Sequence, residues 1–407
     1  MSLGMSLLLV TEALKRILDV ASTLESENVG LLQARGRTLA APLISKLDNP
    51  PFDASAMDGY AVRADDVASI PASLTVIAEA GAGRPFTGSL GQGEAVRIFT
   101  GGRLPEGADA IVIQENVDAS GTAITVRETA ARGANIRPKG EDFRKDDILL
   151  EQGRCLTARD VLIGASSGHA ELPVVRKPVI AILSTGDELV PPGSPLGPGQ
   201  ISASNAYGLA AIVEAAGAEA RVLGIARDTF ASLDERIAAS DGADILVTSG
   251  GASVGDHDLV RPALEKAGAK LDFYKIAMRP GKPLFFGSRV QNGSTQHCLG
   301  LPGNPVSAMI CARVFLVPLI GRLLGRETPF QALTAVLAEP LPANGPREHY
   351  MRGLLDMSES PPRVVAFKSQ DSGLIKSLQR ADCLVVIPAN TPAQPLGSPV
   401  KVLKLDI

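Results

Sequence analysis

Between Lys177 and Gly325 the chain alternates strand-like apolar runs with amphipathic helical ones, and few folds tolerate that pattern. PVIAIL is an apolar strand, ASNAYGLAAIVEAAG a helix and AEARVLGIARD a strand. TFASLDERIAASDG follows as a helix capped by Thr229, and ADILVTSGG and DLVRPALEKAG repeat the strand–helix unit. LDFYKIAMRPGKPLFFG reads as a strand and a loop, and HCLGLPGNP leads into the long apolar helix VSAMICARVFLVPLIGRLLG. Strands alternating with helices imply a parallel sheet covered on both faces. In such sheets ligands sit outside the carboxyl ends of the strands, here the loops after Leu183, Ile225 and Val247.

The flanks have another texture. Thr11 is expected to cap an N-terminal helix carrying Leu14, Ile17, Leu18 and Ala21 at helical spacing. From about residue 62 to 147, SLTVIAEA, EAVRIFT, DAIVIQENV and AITVRE are short strands punctuated by Gly and Pro, a small β domain. DDILLEQGRCLTARDVLIGASSG reads as a strand and a helix expected to pack back on the N-terminal helix. From residue 328 five short strands, LTAVLAEPL, HYMRGLLD, RVVAFKS, CLVVIPA and VKVLKLDI, suggest a C-terminal β domain or barrel. The expected division is a discontinuous N-terminal domain at 1–50 and 145–176, an inserted β domain at 51–144, the α/β domain at 177–327 and a C-terminal β domain at 328–407.

Composition excludes several classes. At 45% hydrophobic and 21% charged residues the chain reads as globular. A net charge of −4 and the absence of Trp give no reason to expect nucleic-acid binding. No run of about 18 apolar residues is free of charge, and no basic region precedes the short N-terminal apolar run. Cys155, Cys298, Cys311 and Cys383 form no C-x-x-C pair, which argues against a zinc site or disulfide framework. A cytoplasmic, non-membrane protein is the simplest expectation.

Three strand-end loops carry acids. STGDEL brings Asp187 and Glu188, GIARDT brings Asp228, and TSGGASVGDHD brings Asp256 and Asp258. Carboxylates here suit Mg²⁺, although each could instead cap a helix or turn. Ser249, Gly250 and Gly251 offer bare backbone to an anion. Lys275, Arg279 and Lys282 surround a Pro-Gly turn and repel one another unless an anion joins them, while Pro302 to Pro305 form a rigid turn with Pro305 at the first helical position. The Pro- and Gly-locked loop of the β domain exposes Asp53, Ser55, Asp58 and Thr100, and NIRPKGEDFRKDD adds Arg137, Lys139 and Asp142. P-loop and G-x-G-x-x-G motifs are absent from the sequence.

Seven of these stretches, in order along the chain, resemble the MoeA family, whose eukaryotic counterpart is the E domain of gephyrin: FDASAMDGYAVR, TGGRLPEGADAIVIQE, IRPKGED, STGDEL, TSGGASVGDHD, RPGKP and LPGNPVSA. The resemblance implies a molybdopterin molybdenumtransferase that inserts molybdate into adenylylated molybdopterin with Mg²⁺, releasing AMP. It implies a four-domain homodimer whose MogA-like molybdopterin-binding domain shares a cleft with the β domain of the other subunit. A MogA-like adenylyltransferase and acceptor molybdoenzymes would be partners. Carried onto this chain, it makes Asp58, Thr100, Asp142, Glu188 and Asp228 catalytic, with Glu188, Asp228 and Asp258 around the metal. Substrate would meet Arg137, Ser249, Gly250, Gly251, Lys275, Arg279, Lys282, Pro302 and Ser307, and in the C-terminal domain Arg352 (or Arg347) and Ser372 (or Ser369). Asp256 is left as a helix cap. The family usually has Lys at position 279, and Arg keeps the charge on a bulkier planar group. A dimeric molybdopterin-binding or gephyrin-like scaffold without turnover is the alternative, and tungstate could replace molybdate.

Overall fold

A computed structural model describes residues 7–251, 259–326 and 332–405. The chain divides into two compact units, one comprising Met1–Glu27, Gly36–Ala40 and Val174–Ile407, the other Asn28–Arg35 and Ala41–Pro173.

The larger unit is built on a six-stranded sheet in the order Glu219–Ala226, Val179–Thr185, Ile245–Ser249, Ser294–Leu301, Phe285–Gln291, Lys270–Phe273. The strands bury both faces. Along Val179–Thr185, Ile180 and Ile182 join one apolar cluster while Ala181 and Leu183 join another, as the period-two alternation of a strand requires. The first four strands are parallel, as expected. The last two are antiparallel, which departs from the all-parallel expectation. The cause is local. Asn292 and Gly293 both have positive φ (49° and 81°), so they close a two-residue hairpin between Gln291 and Ser294.

The apolar helix expected after the Pro-Gly-Asn-Pro turn runs from Pro305 to Leu323 and has Pro305 at its start. A π segment, Ala312–Leu316, interrupts it. Pro318 follows immediately and has no N–H for the regular ladder, so a local change of register is the natural accommodation. By length and mean hydropathy (1.8) this helix could cross a bilayer, but 83% of it is buried in the core of the unit. Its two arginines find backbone oxygens, Arg313 that of Lys404 and Arg322 that of Ala21.

The N-terminal helix is Val10–Asp19. Leu9 occupies the N-cap without a side-chain bond, and Thr11 lies inside the first turn, so Thr11 is not the cap. Val10, Ala13 and Ile17 are buried in the same cluster as Leu319, Ile320 and Leu323. This helix therefore packs on the core helix of the α/β sheet. The helix Ala158–Ser166, expected to pack on it, lies in the smaller unit against Leu31–Ala34 and is held at its start by a Thr157–Asp160 capping box.

The C-terminal strands close on themselves. Glu348–Asp356, Arg363–Ala366, Leu333–Leu337, Pro399–Lys404 and Cys383–Ile387 follow in order, and the last pairs back with the first. All five expected strands are present, and closure removes the exposed edges of so small a sheet. The short strand Met278–Arg279 pairs with Glu348–His349, which ties the cationic turn of the α/β sheet to the barrel.

The smaller unit holds a second six-stranded sheet, ordered Ala110–Ile113, Gly59–Val62, Glu94–Ile98, Ala72–Ala80, Ala123–Val126, Val117–Ser120. The four strands expected there are among them.

Candidate functional site

Three parallel strands of the larger unit end together. Ser184 pairs with Ser249, and Thr185 with Ala226. Beyond them the backbone turns sharply. Gly186, Gly250 and Gly251 all have positive φ, and a Cβ on Gly186 would lie 2.4 Å from the Glu188 carboxylate. Such positions accept glycine alone without strain. The strand ends, the 279–283 turn, the 302–305 turn and the barrel loop 370–372 enclose a cavity of about 920 Å³.

Acids come to it from the sheet. Glu188 and Asp228 line the cavity, and the Oδ1 of Asp187 accepts a bond from the Asp228 amide at 3.2 Å. Partial burial, then the charge of Asp187 and that of Glu188, push the Asp228 carboxyl above its ordinary range. Three carboxylates crowded in this way favour a cation. Asp256 and Asp258 lie outside the described residues, among which no group of three His, Cys, Asp or Glu side chains is arranged to hold a metal ion.

Cations come from the turn and the barrel. Arg279, Lys282 and Arg347 line the cavity. Gly281 (φ 108°) sits where a Cβ would meet Cys311 Sγ at 2.4 Å, so the turn carrying Arg279 and Lys282 is pressed against the core helix. Behind Arg279, paired with it across the short parallel ladder, lies buried His349. Its Nε2 has no partner among the described residues. Burial, with Arg279, Arg347 and Arg352 nearby, lowers its pKa from 6.5 to about 4. The unfolded imidazole therefore takes up a proton before the folded one does, and stability falls as pH drops from about 6.5 toward 4. The loss is at most about 3 kcal/mol. His349→Gln should flatten that part of the pH dependence, which denaturation midpoints at pH 7 and pH 4.5 would show.

The loops are cross-linked by two amides, Asn205, which lies outside the sequence motifs, and Asn304 of the Pro-Gly-Asn-Pro turn. Asn205 Nδ2 donates to Ser249 Oγ (2.8 Å) and to the Gly303 carbonyl (2.7 Å), joining two strand-end loops. Asn304 Nδ2 donates to Ser372 Oγ (2.8 Å), joining the Pro-Gly-Asn-Pro turn to the barrel. The only sequence signal for Asn205 is an amide beside a Ser-rich stretch.

The smaller unit has its own polar cluster. Asp58 accepts both the Thr100 amide and its hydroxyl at 2.8 Å, and these bonds hold its carboxyl below the usual range. Asn49 Nδ2 donates to Asp142 at 3.0 Å. Arg137, Glu141 and Asp142 line a groove of about 580 Å³ with Pro50, Pro51 and Phe52.

Comparison with known proteins matches this arrangement along the whole chain. Residues 8–168 match the MoeA N-terminal region (domain I and II), residues 181–322 a probable molybdopterin binding domain, and residues 334–405 the MoeA C-terminal region (domain IV). A molybdopterin molybdenumtransferase of Nostoc sp. is 38% identical over 94% of this chain and 89% of its own length. That of Bacillus subtilis is 35% identical over 97% and 93%. This chain belongs to the MoeA family. The fold agrees: two molybdopterin biosynthesis MoeA protein structures from Pyrococcus horikoshii superpose with TM-scores of 0.85 and 0.81 at 33% and 28% identity, covering 98% of this chain and 99% and 100% of theirs.

Of the residues expected from the MoeA resemblance, the structure gathers Glu188, Asp228, Ser249, Gly250, Gly251, Arg279, Lys282, Pro302, Ser307 and Ser372 around the one cavity. Asp58, Thr100, Arg137 and Asp142 are in the smaller unit. Two of the expected residues lie outside the cavity lining. Lys275 does not line the cavity: its ammonium lies 5.5 Å from the ring centre of Tyr274, and its carbonyl receives the Leu8 amide at 3.4 Å. Arg352 does not line it either. It is 1% exposed, with its donors turned onto the loop behind the cavity wall, and Arg347 takes the lining position instead.

Proposed function

We propose that this MoeA-family transferase inserts molybdate into adenylylated molybdopterin and releases AMP, with Mg²⁺ held by Glu188 and Asp228. The observation that carries the reading is one cavity offering carboxylates at the strand ends and Arg279, Lys282 and Arg347 from the turn and barrel. An anhydride with a divalent cation, brought beside a tetrahedral dianion, needs both kinds of group. Arg279 can present two parallel N–H donors to the oxyanion, and Lys282 adds a point charge. With no side chain at Gly250 or Gly251, a phosphate could approach the backbone there closely. Bound there, Mg²⁺ would supply charge to the phosphoanhydride oxygens. The protein's own part is to orient the two anions and offset their repulsion. The chain would act as a cytoplasmic homodimer, with Asp58, Thr100, Arg137 and Asp142 of the other copy completing the cleft.

The test is incubation with adenylylated molybdopterin and Mg²⁺, with and without molybdate. AMP release that requires molybdate is expected, and binding without turnover would favour a storage or scaffold role. Replacing molybdate with tungstate reads the oxyanion preference. Arg279→Ala should weaken oxyanion binding about tenfold to a hundredfold, as loss of a bidentate charged contact does. Arg279→Lys should recover most of it, and calorimetric titration measures both.

A further inference from the structure

The wall between the acids and the glycine loop contains a residue of the STGDEL stretch to which the resemblance gives no role. Thr185 ends its strand, lines the cavity and is 4% exposed. Its Oγ1 is buried and has no hydrogen-bond partner among the described residues. An unpaired buried hydroxyl is destabilising, and native structures keep few of them without a use.

The surroundings of this oxygen are unusual in a second way. Gly250 (φ 98°) and Gly251 (φ 60°) pass directly over it. A Cβ on Gly250 would lie 2.8 Å from Thr185 Oγ1 and 2.5 Å from the Thr185 carbonyl, and one on Gly251 3.2 Å from the same Oγ1. Any side chain at either position would crowd the hydroxyl. Two glycines thus keep bare backbone around a donor that has no acceptor among the described residues. The Gly250 amide is itself turned away, onto the Leu301 carbonyl at 3.3 Å.

We infer that Thr185 Oγ1 is a phosphate-binding donor, and that the bare backbone of Gly250 and Gly251 leaves room for a phosphoryl oxygen of the substrate to reach it. This rests on the proposed function and adds a residue to it. The ligand class is a phosphate ester, at either the nucleotide or the pterin end of the adenylylated substrate. A free tetrahedral oxyanion belongs to Arg279 and Lys282 instead.

Thr185→Val removes the hydroxyl at nearly constant volume, and two readouts should move in opposite directions. The ligand-free protein should melt about 2 °C higher, because an unpaired polar group is gone. Affinity for AMP or for molybdopterin should fall about tenfold, the weight of one charge-assisted hydrogen bond. Adenosine and molybdate affinities should not change, and Thr185→Ser should bind within about threefold of the unaltered protein. A fall for AMP alone places the nucleotide phosphate there, and a fall for molybdopterin alone places the pterin phosphate. Thr248 is the control. Its Oγ1 is also buried and unpaired among the described residues, one residue before Ser249, but it does not line the cavity. Thr248→Val should raise the melting temperature and leave both affinities unchanged. The inference is overturned if Thr185→Val keeps both affinities, or if it lowers stability, since the hydroxyl would then be paired already. If the unaltered protein releases no AMP, the proposed function fails first. If it does and Thr185→Val binds normally, only the Thr185 assignment falls.

Discussion

Asp228→Asn is expected to reduce molybdate-dependent AMP release by about a hundredfold to a thousandfold, the scale for removing a group that holds charge at a reacting phosphate. The same substitution should raise the thermal stability of the ligand-free protein. The two effects share one cause. Burial and the carboxylates of Asp187 and Glu188 raise the folded-state pKa of Asp228, so its charged form is less favourable in the folded chain than in the unfolded one. For an acid with a raised folded pKa, the penalty is present above that pKa and disappears as pH falls through it. At pH 7 Asn removes the penalty and, with it, the site's ability to hold a cation. Glu188→Gln should match the loss of AMP release. Measuring melting temperature with and without Mg²⁺ completes the test. The unaltered protein should gain stability from Mg²⁺ by mass action and Asp228→Asn should gain little. Equal stabilisation by Mg²⁺ in both would remove the metal from Asp228.

Much of the fold is legible because burial on both faces writes a continuous apolar run. VIAILST has no choice but to be a central strand. The antiparallel pair at the sheet's far edge was less visible. Phe285–Gln291 and Ser294–Leu301 read as a loop and a lead-in to the helix, although the Asn292–Gly293 dipeptide between them is a strong hairpin signal. The strand-end acids and glycines could be placed because parallel strands bring their carboxyl ends together. Pairing across distant segments could not. Nothing in the sequence says that Asp58 meets Thr100, or that Asn304 meets Ser372, since each is fixed by loop geometry on separate elements. Lys275 stands outside the cavity lining for a related reason. It is seven residues from Lys282, but the intervening backbone joins the N-terminal segment through Leu8 before it turns toward the cavity.

Arg347 and Arg352 show where charge alone misleads, and their substitutions should separate cleanly. Arg352 lies two residues beyond Tyr350 on the same face of a barrel strand, and both are buried. An arginine at such a position must satisfy its donors within the fold. It does so on one loop, donating to the carbonyls of Asp371 (2.9 Å), Leu374 (3.2 Å) and Ser369 (3.4 Å), while its amide donates to Gln370 Oε1 at 2.9 Å. Burial lowers its pKa, yet a guanidinium stays charged. Arg352→Ala removes these bonds and leaves a void where a fully buried side chain stood, so a loss of about 3–5 kcal/mol in denaturant unfolding is expected. Arg352→Lys should recover little, because one ammonium cannot reach three carbonyls in a planar fork. Oxyanion binding should weaken in the surviving folded protein, since the loop that positions Ser372 loosens. Arg347 is only half-buried, and its one side-chain bond among the described residues is long, 3.5 Å to the Met278 carbonyl. Arg347→Ala should therefore leave the unfolding midpoint within about 0.5 kcal/mol of the unaltered protein while weakening oxyanion affinity about tenfold. If Arg352→Ala instead unfolds like the unaltered protein and Arg347→Ala keeps full oxyanion affinity, the roles given to the two residues are reversed.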